Sequence, residues 1–257
     1  MAFGDVKVDN DVKKEKDSLG GFQLIESGIV DFRIKTAFVV ESSKGSKGLS
    51  LYFEGKDDNS QYRETFYVTT GTEKGCVPYW ENKKTGEKHS LKGYNLANAV
   101  CLLAAGVELS ELETENKMID LYSKEDQKEV PTEVEMCIEL LDTEISIGIL
   151  KVRENKNEQD PKTGDWLPTN EERLTNQIDK FFDSESHMTV QETLDAAENG
   201  LTYKEEDLFY TKWSKKWTGK TKDTFKEVKG GATKGSPLTQ KSEKKVSAFA
   251  KKKNAKA

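Results

Sequence analysis

The stretch GIVDFRIKTAFVV, residues 28–40, alternates: Val30, Phe32, Ile34 and Phe38 fall on one side of an extended chain, and Asp31, Arg33 and Lys35 on the other. Successive side chains of a strand point to opposite faces, so this period of two predicts a half-buried β-strand. A Gly/Ser/Lys turn at 42–48 follows. Residues 49–54 then alternate again, with Leu51 and Phe53 inward and Tyr52 outward. A polar turn at 56–60 leads into a third run, 62–70, where Phe66 and Val68 face in and Arg63, Thr65 and Tyr67 face out. Three such runs joined by short turns predict an antiparallel meander.

Beyond the meander, residues 71–93 (GTEKGCVPYWENKKTGEKHSLKG) read as a long loop rich in Gly, Lys and aromatics. Residues 94–105 have helical spacing, with Leu96, Ala99, Val100, Leu103 and Ala104 on one face and Gly106 as a stop. Residues 108–142 are acidic and mixed, with 135–141 a candidate helix, and ISIGILKVR at 145–153 is the strongest late strand. Residues 155–170 are expected to be a hairpin-like loop. Short helices are expected at 175–182 and 189–198, the second opened by Thr189 and Glu192 as a capping box. Residues 201–217 have some amphipathic character.

The charge is divided along the chain. Residues 212–257 hold fifteen lysines and three acids, a net of +12, whereas residues 1–211 hold 25 basic and 43 acidic groups, a net of −18; together they make the overall −6. A basic arm on an acidic body suits contact with polyanions or acidic protein surfaces. No run of about eighteen apolar residues exists to span a membrane. The three cysteines, Cys76, Cys101 and Cys137, form no CxxC pair, which fits a reducing cytoplasm. The expected organisation is a disordered leader at 1–19, a body at 20–182, a helical extension at 183–217 and a flexible Lys-rich tail at 218–257.

Two constellations carry chemistry. On adjacent strands, Arg33, Lys35, Tyr52, Arg63 and Tyr67 would share one solvent-facing side, where cations follow phosphates and exposed rings stack bases. The 71–93 loop adds Lys83, Lys84 and Lys88 around Tyr79 and Trp80. The bland alternatives stay open: a solvated face with incidental tyrosines, and a loop pinned to the core by its aromatics. In the tail, Trp217, Phe249, Lys251, Lys252, Lys253 and Lys256 are candidates for partner contact. Neither glycine-rich stretch, at 71–76 or 219–221, completes a phosphate-binding loop. His89 and His187 lie in no nucleophile or metal motif, so no catalytic residue, metal or cofactor is expected.

GFQLIESGIVDFRIKTAFVVES leading into LSLYFEG and YRETFYVTTG, then KGYNLANAVCLLAAGVELSE and ELLDTEISIGILKVREN, resembles the phage-encoded single-stranded DNA-binding proteins of OB-fold type. The resemblance covers roughly residues 20–180. It implies an α+β fold built on a partly open five-stranded β-barrel with inserted helices. It also implies sequence-independent binding of single strands in phage DNA replication and recombination, in the host cytoplasm. Many such proteins end in an acidic tail; this one ends in a basic tail. Extra DNA contact, a neighbouring protomer, or a host or phage polymerase or other replication protein are its expected partners. The rival expectation is a protein–protein adaptor or transcription cofactor whose tail engages a polymerase.

Overall fold

The computed structural model describes residues 24–56, 60–123, 126–161 and 164–228. The fold is mainly β with three α-helices, an α+β class. The meander is present as β1 (Gly28–Glu41), β2 (Lys47–Gly55) and β3 (Gln61–Tyr67), each antiparallel to the next. After β3 come a two-stranded hairpin, β4 (Tyr79–Glu81) with β5 (Lys88–Ser90), and helix α1 (Lys92–Ala104). A second hairpin follows, β6 (Glu115–Ser123) with β7 (Lys128–Met136), and then two long strands, β8 (Glu144–Gln159) and β9 (Trp166–Asp183). Helices α2 (Val190–Asn199) and α3 (Phe209–Trp217) precede the short β10 (Thr221–Asp223). The principal sheet runs β3-β2-β1-β8-β9, and β10 lies parallel to residues 151–153 of β8.

By contacts the chain forms two compact units. The larger comprises residues up to Arg153 together with Leu174–Asp223; the second holds Glu154–Arg173 and the residues from Thr224 onward. In the second unit Asn155 and Asn170 each grip an extended backbone. Asn155 accepts from the Lys226 N–H and donates to its carbonyl, and Asn170 does the same at Val228, at distances of 2.7–3.3 Å.

The core of the larger unit follows the alternation read from the sequence, with one change of phase. Phe32 and Ile34 point inward opposite Phe53, but a β-bulge between Ile34 and Thr36 leaves Lys35 as an extra residue. One added residue turns every later side chain to the other face. Ala37 and Val39 therefore continue the inner row opposite Leu51 and Leu49, and Phe38 crosses to the outer side. Phe38 was expected beside Ile34; instead it is buried with Val134 and Met136 beneath the β6–β7 hairpin. The sheet is thus covered on both faces at this end.

The sheet is not closed into a barrel: β3 and β9 are its outer strands. Side chains span the gap between them. Phe181 packs edge-on against Phe66 at 5.9 Å and tilted against Phe53 at 6.3 Å. Glu64 accepts a hydrogen bond from the Tyr62 hydroxyl at 2.5 Å and another from the Ile178 backbone. Burial pushes the Glu64 carboxyl above its ordinary range, against the opposing pull of those bonds and of Lys92. Helix α1 buries Leu96, Ala97, Val100 and Cys101 in this core and ends before Gly106, which has φ of 73°.

Three local expectations change. Residues 175–182 are strand, not helix, because both faces of β9 are covered: Ile178 and Phe181 join the main core while Phe182 joins a cluster with Leu150, Val152 and Trp213. Two buried faces give apolar spacing that imitates a helical stripe. Residues 155–170 are mostly strand, turning only between Asp160 and Asp165. Residues 135–141 finish β7 and make one 3-10 turn, Ile138–Leu140, rather than a helix. The capping box at Thr189 and Glu192 is present. Among the described residues no helix is long and apolar enough to cross a membrane.

Two substitutions test this packing. A Cβ on Gly93 would sit 2.1 Å from the Tyr67 carbonyl oxygen. Gly93→Ala should therefore cost about 1–3 kcal/mol by overpacking, read as a lower denaturant midpoint. For Glu64 the folded-state value is raised, so its contribution is fully present below the unfolded carboxylate value and lost as pH rises through the folded one. The stability of wild type relative to Glu64→Gln should fall as pH rises above the ordinary carboxylate range, about pH 4; a constant difference would contradict this account.

Candidate nucleic-acid interface

The outer face of β1–β3 is laid out by register. Its rows are Arg33–Glu54–Gln61, Thr36–Tyr52–Arg63, Phe38–Ser50–Thr65 and Val40–Gly48–Tyr67. Ion pairing divides the five residues expected here. Arg33 pairs with Glu144 at 3.2 Å, and Lys35 pairs with Asp142 at 3.3 Å and Glu54 at 3.7 Å. Hydrogen bonds from Lys56 and Arg33 hold the exposed Glu144 carboxyl below its usual range. These two cations are locally neutralised, so the basic face does not extend to that end of the strands.

The other three belong together. Arg63 is exposed, makes no ion pair among the described residues, and lies 6.0 Å over the ring of its cross-strand neighbour Tyr52. Tyr52 is half-buried, its ring edge-on to Phe38 at 5.7 Å, so only part of it is available. Tyr67 is 48% exposed and lies across Gly48, where an added Cβ would meet its ring at 3.2 Å. A bare glycine lets the aromatic ring spread flat on the sheet.

Beside Tyr67 two turns interlock. Thr72 N–H donates to the Lys44 carbonyl, Val68 N–H to the Lys47 carbonyl, and the Cys76 thiol to the Gly45 carbonyl. Lys44, Lys47 and Lys74 stand exposed on this knot and form no ion pair among the described residues. The sequence reading placed Lys74 in the basic loop but left Lys44 and Lys47 out of the site; the signal for these two was the SKGSKG turn at 43–48, whose lysines flank the strand ends. From the same knot, through Val77 N–H to Thr70 and Leu91 N–H to Pro78, rises the β4–β5 hairpin.

On that hairpin Tyr79 and Trp80 do not act as one pair. Trp80 is 50% exposed and stacks on its cross-strand partner His89, ring centroids 4.6 Å apart. Tyr79 points to the opposite side, half-buried, with the Lys88 ammonium 4.6 Å from its ring. Lys83 and Lys84 are exposed in the turn, without ion pairs among the described residues. Trp217 is also partly buried, packed against the cluster of Leu150, Val152, Phe182 and Trp213, and so is not a free tail residue. Phe249, Lys251, Lys252, Lys253 and Lys256 lie outside the described residues.

Burial pushes the Cys101 thiol up to about 12 and the Cys137 thiol to about 11, so both stay protonated at neutral pH, and all three cysteines are free. No group of three or more His, Cys, Asp or Glu among the described residues is placed to hold a metal ion.

Amine-reactive labelling followed by peptide mass analysis checks the division of charges. Lys44, Lys83 and Lys84 should react several-fold faster than Lys151, whose ammonium is held by Glu26 at 2.6 Å. Equal rates would contradict it. No family model matches the sequence and a search of curated proteins finds no similar one, so the surface is read from its own chemistry.

Proposed function

We propose that this chain binds single-stranded DNA without sequence preference and without catalysis, as an OB-type protein serving phage DNA replication and recombination. One observation carries the reading. In a chain of net charge −6, unpaired cations gather around exposed rings on one sheet face, its interlocked turns and the adjoining hairpin. Unpaired cations attract phosphates through counterion release, and exposed rings stack any base. The strand order β3-β2-β1-β8-β9, with α1 between β3 and β8 in the chain, supports the OB-type assignment. A partly open barrel of this kind exposes a sheet face and loops to single strands.

A second reading is a protein–protein adaptor whose basic tail engages a polymerase; the opposite charges of residues 1–211 and 212–257 favour it. The two readings separate on a fluorescence titration with oligo-dT and a duplex of equal length. Tight single-strand binding is expected, and equal or stronger duplex affinity would sink the proposal. Tyr67→Ala should weaken strand binding by about 1–3 kcal/mol if it stacks one base. Arg63→Ala should also lower the salt slope by about 0.7, whereas Arg33→Ala, already paired to Glu144, should leave the slope unchanged.

A further inference from the structure

Residues 212–222 are ordered, although 218–222 were expected to belong to a flexible tail. Helix α3 is mounted on the larger unit by its aromatic side. Trp213 is 3% exposed, its indole N–H donates to Asp179 at 2.8 Å, and its ring fills the space a side chain on Gly148 would need. Tyr210 stacks on His187 at 4.3 Å and packs edge-on against Phe182 at 5.2 Å. After the helix, Gly219 N–H donates to the Ser27 carbonyl and β10 pairs with β8.

This mount presents Lys212, Lys215, Lys216, Lys220 and Lys222, with no acidic residue between Asp207 and Asp223 in sequence. Among the described residues none of the five makes an ion pair. Lys212 reaches only the Asp207 carbonyl, and Lys216 only the Trp217 ring, at 5.0 Å. The neighbouring cations behave otherwise: Lys151 is paired with Glu26 and Arg153 with Asp223. Asp223 is engaged by Arg153 and Asp179 by the indole, while Glu205, Glu206 and Asp207 stand exposed in the turn just before α3. Like charges held near one another on α3 and the segment after it repel one another, and a polyanion relieves that repulsion.

We propose that this ordered lysine face is a second binding site for the phosphate backbone of the strand, separate from the Tyr67 face and its hairpin. The inference rests on the single-strand reading proposed above. Ammonium groups suit phosphates as point charges and need no fixed geometry. Protein interfaces, by contrast, deplete lysine and require an apolar centre. The aromatics that could form such a centre here are turned inward, leaving Phe209 at 42% exposure as the large apolar side chain α3 displays.

The test uses the full-length protein carrying Lys212→Gln, Lys215→Gln, Lys216→Gln and Lys220→Gln, titrated with oligo-dT over a range of NaCl. Each lost phosphate contact on a single strand lowers the slope of log K against log salt by about 0.7. The fourfold variant should lower it by about two to three and weaken low-salt binding by roughly tenfold or more. Lys215→Gln alone, which breaks no contact within the protein, should lower it by about 0.7. An unchanged slope in both variants overturns the proposal, as does loss of affinity at unchanged slope. If wild type fails to bind the strand, both this inference and the reading beneath it fall. If only Arg63→Ala lowers the slope, this inference falls and the single-strand reading stands.

Discussion

A single residue too many in β1 organises the larger unit. Without the bulge at Lys35, the row Phe32, Ile34 would continue through Thr36 and Phe38, and a hydroxyl and a phenyl ring would take the places now held by Ala37 and Val39. With it, one strand supplies two cores: an inner row facing Leu49, Leu51 and Phe53, and an outer one where Phe38 meets Val134 and Met136. Burying an aromatic side chain and its neighbours on the outer side gives β6–β7 something to rest on. Roofing that part of the sheet also limits how much of its outer face meets solvent, which concentrates the exposed rings toward β3.

The division of charge is the second organising fact, and it is finer than composition suggests. Arg33, Lys35, Lys56, Lys151, Arg153 and Lys156 all have carboxylate partners, while Arg63, the turn and hairpin lysines and the α3 lysines have none among the described residues. Exposed ion pairs contribute little to stability. Their larger effect here is on the field, since a paired cation is nearly invisible a few ångströms away. The acidic body thus leaves two patches positive.

How much of this could be read in advance depended on whether a signal was local. The strands within 28–40, 49–54 and 62–70, the helix before Gly106 and the capping box at Thr189 rest on local signals, and each element forms there, although β3 stops at Tyr67 and the phase of β1 changes after Ile34. The bulge was illegible because the alternation resumes after it in the opposite phase, and Thr36–Ala37–Phe38 fits either. Residues 175–182 misled because Phe181 and Phe182 serve two clusters that only the fold creates. At the candidate site, residue types were legible and partners were not. Nothing around Arg33 or Lys35 announces Glu144 and Asp142, which lie more than a hundred positions away. Trp80 and Tyr79, adjacent in sequence, part to opposite sides for the ordinary reason that strand neighbours do.

The two asparagines of the second unit have a consequence of a different kind. Asn155 and Asn170 hold residues 226 and 228 by backbone amide and carbonyl alone. Such a grip ignores side-chain identity. Lys226 and Val228 are therefore interchangeable with any residue that keeps its N–H, and proline is the one substitution the grip rejects. The root of the C-terminal segment is anchored by address rather than by spelling, leaving its composition free to be set by charge.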